Sequence, residues 1–202
     1  MTSLYLASKS PRRMELLRQA GIAFELLPLR ETPTGRCEVD ETPLPGEAPD
    51  DYVQRVTRLK AEAGRHSMML RRLPERLILA ADTTVTLDRD ILGKPANDDE
   101  AVAMLSRLSG RTHTVLTAIA IAVSNDVHCA LSRSEVTFGK LDEGAIRQYV
   151  ATGESMDKAG AYAIQGRAAG FIEHLSGSYS GVMGLPLYET MQLLRHSGMT
   201  DS

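Results

Sequence analysis

A short strand that passes through a tight turn into a helix opens the chain and constrains its fold more than any other stretch. Leu4 to Ala7 are apolar enough to form a buried strand. Ser10 and Pro11 are residue types preferred at a helix start, and Gly21 is the type preferred just beyond a helix end. The sequence therefore predicts a strand, a turn and a helix in direct succession.

Strands and helices go on alternating along the chain, which indicates an α/β fold. Runs rich in apolar and β-branched residues, or with apolar residues in alternation, predict the strands "LILAADTTVTL", "THTVLTAIAIAV" and "RSEVTFGKL". Helical periodicity and capping residues predict helices over Asp50 to about Gly64, "NDDEAVAMLSRLSG", "DEGAIRQYVATG" and the stretch after Pro186. The segment "HSMMLRRLPER" is predicted to be a solvent-facing connector.

Composition limits the classes of protein to which the chain can belong. Its 202 residues, of which 43% are hydrophobic and 24% charged, are typical of one globular domain spanning residues 1–202. Apolar runs stay below the roughly 18 residues that cross a bilayer, and nothing resembles a secretory signal, so we expect a cytoplasmic protein without a membrane partner. A pI near 6.0 predicts no general attraction to nucleic acid polymers, so any phosphate chemistry depends on local cations.

Two cations, Arg12 and Arg13, stand in the first turn of the first predicted helix. The helix dipole makes this position unfavourable for a cation by roughly several tenths of a kcal/mol and favourable for an anion. Guanidinium groups and free backbone amides at a helix start together suit a polyphosphate, and Ser8 adds a hydroxyl donor beside the same turn. Taken alone, the pair is equally well explained as a solvated surface feature.

Carboxylates at two positions are candidates for metal binding and catalysis. Asp82 falls within a buried strand pattern, where an unpaired charge is costly, so a divalent cation or a lysine must compensate it. Its carboxylate can then coordinate the metal, orient a water or accept the proton of that water. Glu41, in an acidic loop, offers a second oxygen ligand for Mg²⁺ or Mn²⁺, although by itself it is more simply a solvated acid.

Three further polar residues stand in positions that suit a binding site. Lys94, between Gly and Pro in "LGKP", indicates a fixed loop that presents an ammonium group, whereas Lys60 lies at the edge of a helical apolar stripe. Each is individually typical of a surface lysine. Gln165, in "AGAYAIQG", offers a donor and an acceptor for a nucleobase edge, or else stabilises a turn.

The motifs, taken in order, resemble those of a known family over nearly the whole chain. They are "ASKSPRR", "VDETP", "LKA", "AADTTV", "LGKP", "SGRTHTV", "DKAGAYAIQG" and "SGSYSGVMGLPLYET". This order is similar to that of the Maf family of nucleoside triphosphate pyrophosphatases. The resemblance implies a Maf/ITPase-like fold, in which a mixed twisted sheet with flanking helices forms two lobes around a central cleft, and a homodimer. It also implies hydrolysis of a nucleoside triphosphate to the monophosphate and pyrophosphate with a divalent metal, Mg²⁺ or Mn²⁺.

The resemblance also assigns roles by motif. Asp82 in "AADT" matches the catalytic acid-base residue of the family. Glu41 and Lys60 match polar positions that line the cleft, and Lys94 matches the lysine of the "KP" motif.

A branch within the family is indicated by "SPRR", "ADT" and "IQG", which are similar to the motifs of dTTP/UTP pyrophosphatases. Arg12, Thr83 and Gln165 match the specificity positions of that branch. Two alternatives stay open at this point. One is a 7-methyl-GTP pyrophosphatase, although the chain has no Trp and only 4% aromatic residues for stacking. The other is a nucleotide-binding regulator of cell division with little turnover.

Overall fold

The structure is a computed structural model that describes residues 3–29 and 39–199. In these two ranges a mixed sheet of seven strands carries helices on both faces. The strands are β1 (Leu4–Leu6), β2 (Phe24–Leu26), β3 (Ile78–Leu87), β4 (Asp90–Leu92), β5 (Thr112–Val123), β6 (Asp126–Phe138) and β7 (Ile172–Ser176). The helices are α1 (Pro11–Gln19), α2 (Pro49–Leu70), α3 (Asp98–Leu108), α4 (Glu143–Val150), α5 (Tyr179–Met183) and α6 (Leu187–His196), with short 3₁₀ turns at Ala159–Ala161 and Arg167–Phe171.

The sheet joins a small parallel part to a long antiparallel part. Its strand order is β2-β1-β3-β5-β6-β7, with β4 paired to β3 outside this path. The short strand β1 runs parallel to β2 and β3, whereas β3, β5, β6 and β7 pair in antiparallel fashion. The predicted α/β class, with a mixed sheet and flanking helices, is confirmed. The two-lobe arrangement around a cleft stays a prediction.

Alternation along β3 divides its side chains between two packed layers. Leu79 and Ala81 belong to the larger core, which packs the sheet against α1, α3, α4 and α6. Ile78 and Ala80 belong to the core beneath α2. Because successive side chains of a strand point to opposite faces, Asp82 faces the α2 layer and Thr83 faces the other. The strand therefore presents two neighbouring polar residues to different helices.

Helix α2 extends further than the sequence pattern predicted. The segment "HSMMLRRLPER" was expected to be a connector, but the helix continues through it to Leu70. The reason is that Ser67 and Met68 are buried and carry the packed face on for one more turn. The helix then ends where Arg72 takes a positive φ of 52°. None of the helices in the described ranges is long and apolar enough to span a membrane.

Strand β6 also begins earlier than "RSEVTFGKL" indicates. It starts at Asp126 and pairs with β5 along the whole length of both strands, from Val123↔Asp126 to Thr112↔Thr137. The first half of β6 is only partly buried, so its sequence lacks a clear apolar alternation. Pairing with a long neighbour, rather than its own pattern, makes this half a strand.

Candidate active site

Lys60, Asp82 and Glu41 form a compact charged cluster beside the middle of β3. The Lys60 Nζ, reaching out from α2, lies 2.7 Å from Asp82 Oδ1 and 2.7 Å from Glu41 Oε1. The Lys60 and Asp82 side chains are 11% and 14% exposed, whereas Glu41, at 40%, opens to solvent. The partner expected to compensate Asp82 is therefore present, and it is a lysine.

The electrostatics of this cluster favour the charged forms of Lys60 and Glu41. Burial opposes the charge of Lys60, but the carboxylates of Asp82 and Glu41 outweigh that effect and raise the pKa of Lys60 above its ordinary value. Burial likewise opposes the charge of Glu41, yet Lys60, with smaller contributions from Lys94 and Arg13, lowers the pKa of Glu41. The Lys60 ammonium and the Glu41 carboxylate are thus stabilised as ions beside Asp82 in a half-enclosed position.

Arg13 connects the start of α1 to three other parts of the chain. Its Nε donates to the Gly184 carbonyl at 2.8 Å, and its two terminal nitrogens donate to Ser8 Oγ at 3.1 Å and Thr83 Oγ1 at 3.4 Å. Burial lowers the pKa of Arg13, the positive charge of Arg12 lowers it further, and Asp82 opposes both. The guanidinium is therefore fixed in orientation next to the charged cluster.

Arg12 and Ser10 complete the start of α1. The Arg12 Nε donates to the Met183 carbonyl at 3.2 Å, so both arginines hold the backbone where α5 ends. Ser10 occupies the N-cap position but its side chain makes no capping hydrogen bond, contrary to the sequence expectation. The backbone N–H of Ser10 instead donates to Ser8 Oγ at 3.2 Å. Ser8 thereby serves both the turn and Arg13.

Thr83 belongs to a chain of hydrogen bonds on the face of β3 opposite to Asp82. Its hydroxyl lies 3.0 Å from that of Thr117, the residue paired with it on β5. The Thr117 hydroxyl donates a hydrogen bond to the Gly181 carbonyl oxygen at 2.7 Å. Thr83 therefore ties Arg13 to the sheet, and Thr117 ties α5 to it.

Lys94 is exposed and close enough to the cluster for its charge to lower the pKa of Glu41. The preceding residue, Gly93, accepts a hydrogen bond at 3.0 Å from the backbone N–H of Gly160. This contact fixes the loop that carries Lys94, as "LGKP" predicted, and the partner in the contact is a segment distant in the sequence.

The segment that contains Gly160 also carries Lys158, whose pKa is lowered by burial first and then by Arg12. The motif "DKAG" contains Lys158, but nothing in its local pattern distinguishes this lysine from a surface residue.

Gln165 lies in a neighbouring groove and not in the charged cluster. It is exposed, and it lines a groove of about 570 Å³ between α1, α5 and α6. The groove also contains Gln19, Tyr179 and Met183, and Met183 is the residue whose carbonyl binds Arg12. Arg12 thus lies beside this groove, and its charge also acts on Arg13, which stands next to the charged cluster.

His113, near the start of β5, has a structural role. Its Nε2 lies 2.8 Å from the Tyr162 hydroxyl, and its ring packs edge-on against Phe138 and Tyr162. Burial lowers the pKa of His113 to about 4, so the ring is neutral near pH 7. A neutral, enclosed imidazole of this kind holds the loop after Ala161 against the sheet.

Comparison of the sequence with known proteins identifies a family. The family described as "Maf-like protein" matches residues 3–197. A dTTP/UTP pyrophosphatase of Aromatoleum aromaticum is 56% identical over 196 residues, which cover 96% of this chain and 95% of the relative. One of Cupriavidus metallidurans is 56% identical over 200 residues, covering 98% and 99% of the two chains.

Among solved structures, the Ham1 protein of Staphylococcus aureus is similar with a TM-score of 0.46 and 12% identity, over 68% of this chain and 72% of that one. The α/β class is established by the sheet and helices of the chain itself. Because the family match extends over almost all of the sequence and the curated relatives share more than half of their residues with it, the chain belongs to the Maf family.

Proposed function

We propose that the protein is a hydrolase that cleaves dTTP and UTP to the nucleoside monophosphate and pyrophosphate. The observation that carries this proposal is the placement of Lys60 between Asp82 and Glu41, at 2.7 Å from each, beside the arginines at the start of α1. The substrate choice is supported by relatives at 55–56% identity that are named dTTP/UTP pyrophosphatases.

In this proposal Asp82 is the general base. It accepts a proton from a water molecule as the water oxygen bonds to the α-phosphorus, and the bond from that phosphorus to the bridging oxygen breaks. Pyrophosphate leaves with the bridging oxygen. Lys60 holds the Asp82 carboxylate in position through its 2.7 Å hydrogen bond. A positioned base of this kind typically contributes about 10²–10⁴-fold to the rate.

Binding of the phosphates is assigned to the cations around the cluster. Phosphoanhydride hydrolysis is accelerated mainly by groups that are already positioned to neutralise phosphate charge. Arg13 is held by Gly184, Ser8 and Thr83, so little reorganisation is needed when an anion arrives. Arg12, Lys60 and Lys94 supply further positive charge, and Ser8 supplies a hydroxyl donor.

Glu41 and Asp82 are the residues proposed to hold a divalent cation. In the described ranges no group of three or more His, Cys, Asp or Glu residues gathers as a metal site. Two carboxylates are nevertheless a suitable set for Mg²⁺ or Mn²⁺, because Mg²⁺ commonly binds through one or two carboxylates together with substrate phosphates and water. When bound, the ion would supply phosphate neutralisation and a more acidic water.

A substrate panel tests the assignment. Purified protein is incubated with Mg²⁺ or Mn²⁺ and dTTP, UTP, CTP, GTP, ATP or 7-methyl-GTP, and release of monophosphate and pyrophosphate is measured. We expect the highest kcat/KM with dTTP and UTP. A preference for 7-methyl-GTP would keep the reaction and overturn the base assignment. Thermal stabilisation by nucleotides without any turnover would instead identify a nucleotide-binding regulator.

The proposal extends to the setting in which the enzyme works. We assign residues 1–202 to one domain that acts on free nucleotides in the cytoplasm, without membrane or nucleic acid partners, and as a homodimer. A single sheet that runs through the described ranges supports the one-domain assignment. Light scattering of the purified protein measures the subunit number, and a monomer at working concentration would contradict the dimer.

A further inference from the structure

Lys158 is a half-buried lysine on the loop that joins α4 to β7. Its Nζ donates a hydrogen bond at 3.1 Å to the Met156 carbonyl, which belongs to the same loop. A carbonyl group offers partial charge only, so this contact orients the ammonium without neutralising it. Partial burial disfavours the charge of Lys158, and a bound anion would offset that cost.

The loop around Lys158 has a fixed and strained conformation. Asp157 and Ala161 take positive φ angles of 58° and 62°, which cost L-residues roughly 1–2 kcal/mol each. Gly160, with φ of 68°, packs so closely on β3 that a Cβ would lie 2.9–3.0 Å from the Val85 side chain. Such strain persists where surrounding contacts determine the backbone. Lys158 is therefore positioned by the fold.

A backbone contact brings this loop to the Lys94 loop. The N–H of Gly160 donates to the Gly93 carbonyl at 3.0 Å, so the two lysines stand within two residues of a shared hydrogen bond. Further along the same loop, the Tyr162 hydroxyl lies 2.8 Å from His113 Nε2. The loop that follows Lys158 is thus anchored at Gly160 and at Tyr162, which sets its backbone relative to the Lys94 loop.

Two cations and two acids act electrostatically on Lys158. Burial lowers its pKa, and Arg12 and Lys94 lower it further, whereas Asp157 and Glu154 oppose this effect. Three cations that converge repel one another, and an anion bound among them would relieve that repulsion.

Arg12 connects Lys158 to the surroundings of the water-activating group. Asp82 and Glu41 act electrostatically on Arg13. Arg12 acts on both Arg13 and Lys158. The positive groups therefore extend from the Asp82 cluster through the two arginines to Lys158, which suits the successive phosphates of one extended anion.

We infer that Lys158, together with Arg12 and Lys94, binds the two phosphates that leave as pyrophosphate. The inference rests on the proposed function, because it takes Asp82 to act at the α-phosphate. Lys158 would neutralise the negative charge that develops on the leaving group as the α-phosphorus to oxygen bond breaks. It should therefore affect both affinity for pyrophosphate and kcat.

Calorimetric titration with inorganic pyrophosphate tests the inference without any turnover. The proteins compared are the natural chain, Lys158→Met, Lys158→Arg and Lys140→Met, where Lys140 is an exposed lysine between β6 and α4. We expect Lys158→Met to weaken pyrophosphate binding about tenfold or more, Lys158→Arg to retain most of it, and Lys140→Met to match the natural chain. Binding of UMP, titrated in parallel, should be unchanged in all four.

The outcomes separate this inference from the proposed function. If UTP is hydrolysed but Lys158→Met binds pyrophosphate as the natural chain does, the leaving-group role is wrong and the proposed function stands. Equal weakening of pyrophosphate and UMP, or no pyrophosphate binding by the natural chain, would also overturn the inference. If Lys158→Met fails to fold, as judged by its thermal transition, Lys158→Gln replaces it. Lysine-dependent pyrophosphate binding without UTP turnover would contradict the proposed function, and with it the leaving-group role, while showing that Lys158 binds pyrophosphate.

Discussion

At the scale of single residues, the cluster around Asp82 gives the sharpest test of the chemistry. Asp82→Asn preserves size but removes the negative charge and the basic oxygen, while Lys60 keeps its contact with Glu41. We expect kcat for UTP to fall by about two to four orders of magnitude with the thermal transition little changed. Steady-state kinetics and circular dichroism measure both. Asp126→Asn, an exposed aspartate at the start of β6, is the matched control, and near-normal turnover in Asp82→Asn would remove the residue from the mechanism.

Gln165 allows a separate test of base recognition, because it lies in the groove and not in the charged cluster. A missing amide partner should weaken binding of the pyrimidine edge by about tenfold, with a smaller effect on a purine. Gln165→Ala should therefore reduce the ratio of kcat/KM for UTP to that for GTP. Gln19→Ala, which alters the same groove from α1, serves as control. An unchanged ratio in Gln165→Ala would place the base elsewhere.

At the scale of elements, contact between the Gly160 loop and β3 determines stability. Gly160→Ala combines a positive φ with contacts of 2.9–3.0 Å to Val85, so we expect a loss of about 2–4 kcal/mol in the free energy of unfolding. Gly153→Ala separates the two causes, since Gly153 has φ of 76° but no atom within 4 Å of the position that a Cβ would take. It should lose only about 1–2 kcal/mol. Urea denaturation measures both, and equal losses would show that backbone strain alone matters.

The imidazole that supports the same loop makes folding sensitive to acid. The pKa of His113 is lowered from 6.5 to about 4 by burial, so below pH 6.5 the unfolded chain takes up a proton that the folded chain refuses. Its contribution to stability is present above pH 6.5 and decreases by roughly 3 kcal/mol as the pH falls to about 4. His113→Gln should therefore lose less stability than the natural chain between pH 7.5 and pH 4.5. Tyr162→Phe keeps the histidine and should retain the acid dependence, and parallel curves for the natural chain and His113→Gln would refute the assignment.

At the scale of the whole molecule, the sequence predicted the elements with strong local signals. The strand that carries Asp82, the caps Asn97 and Asp142, and the arginines at the start of α1 follow from local patterns, and the structure contains all of them. The last turns of α2 and the first half of β6 depend on packing against other elements, which a local pattern does not encode. The role proposed for Lys158 has no local sequence signal either. Lys158 comes near Lys94 only because the backbones of Gly160 and Gly93, which are distant in the sequence, bond to each other.

Nucleotide binding should increase the free energy of unfolding, because the proposed phosphate site contains elements from both ends of the chain. Arg12 and Arg13 each bond a backbone carbonyl 171 residues away, so an anion that binds both arginines also stabilises the contact between α1 and α5. In Asp82→Asn, which should bind UTP without consuming it, nucleotide at 100 times its Kd should add about 2.7 kcal/mol to the free energy of unfolding. Urea denaturation with and without UTP measures this increase. Arg13→Met should bind UTP more weakly and show a smaller increase at the same concentration, so an equal increase in both variants would mean that the phosphates bind away from the start of α1.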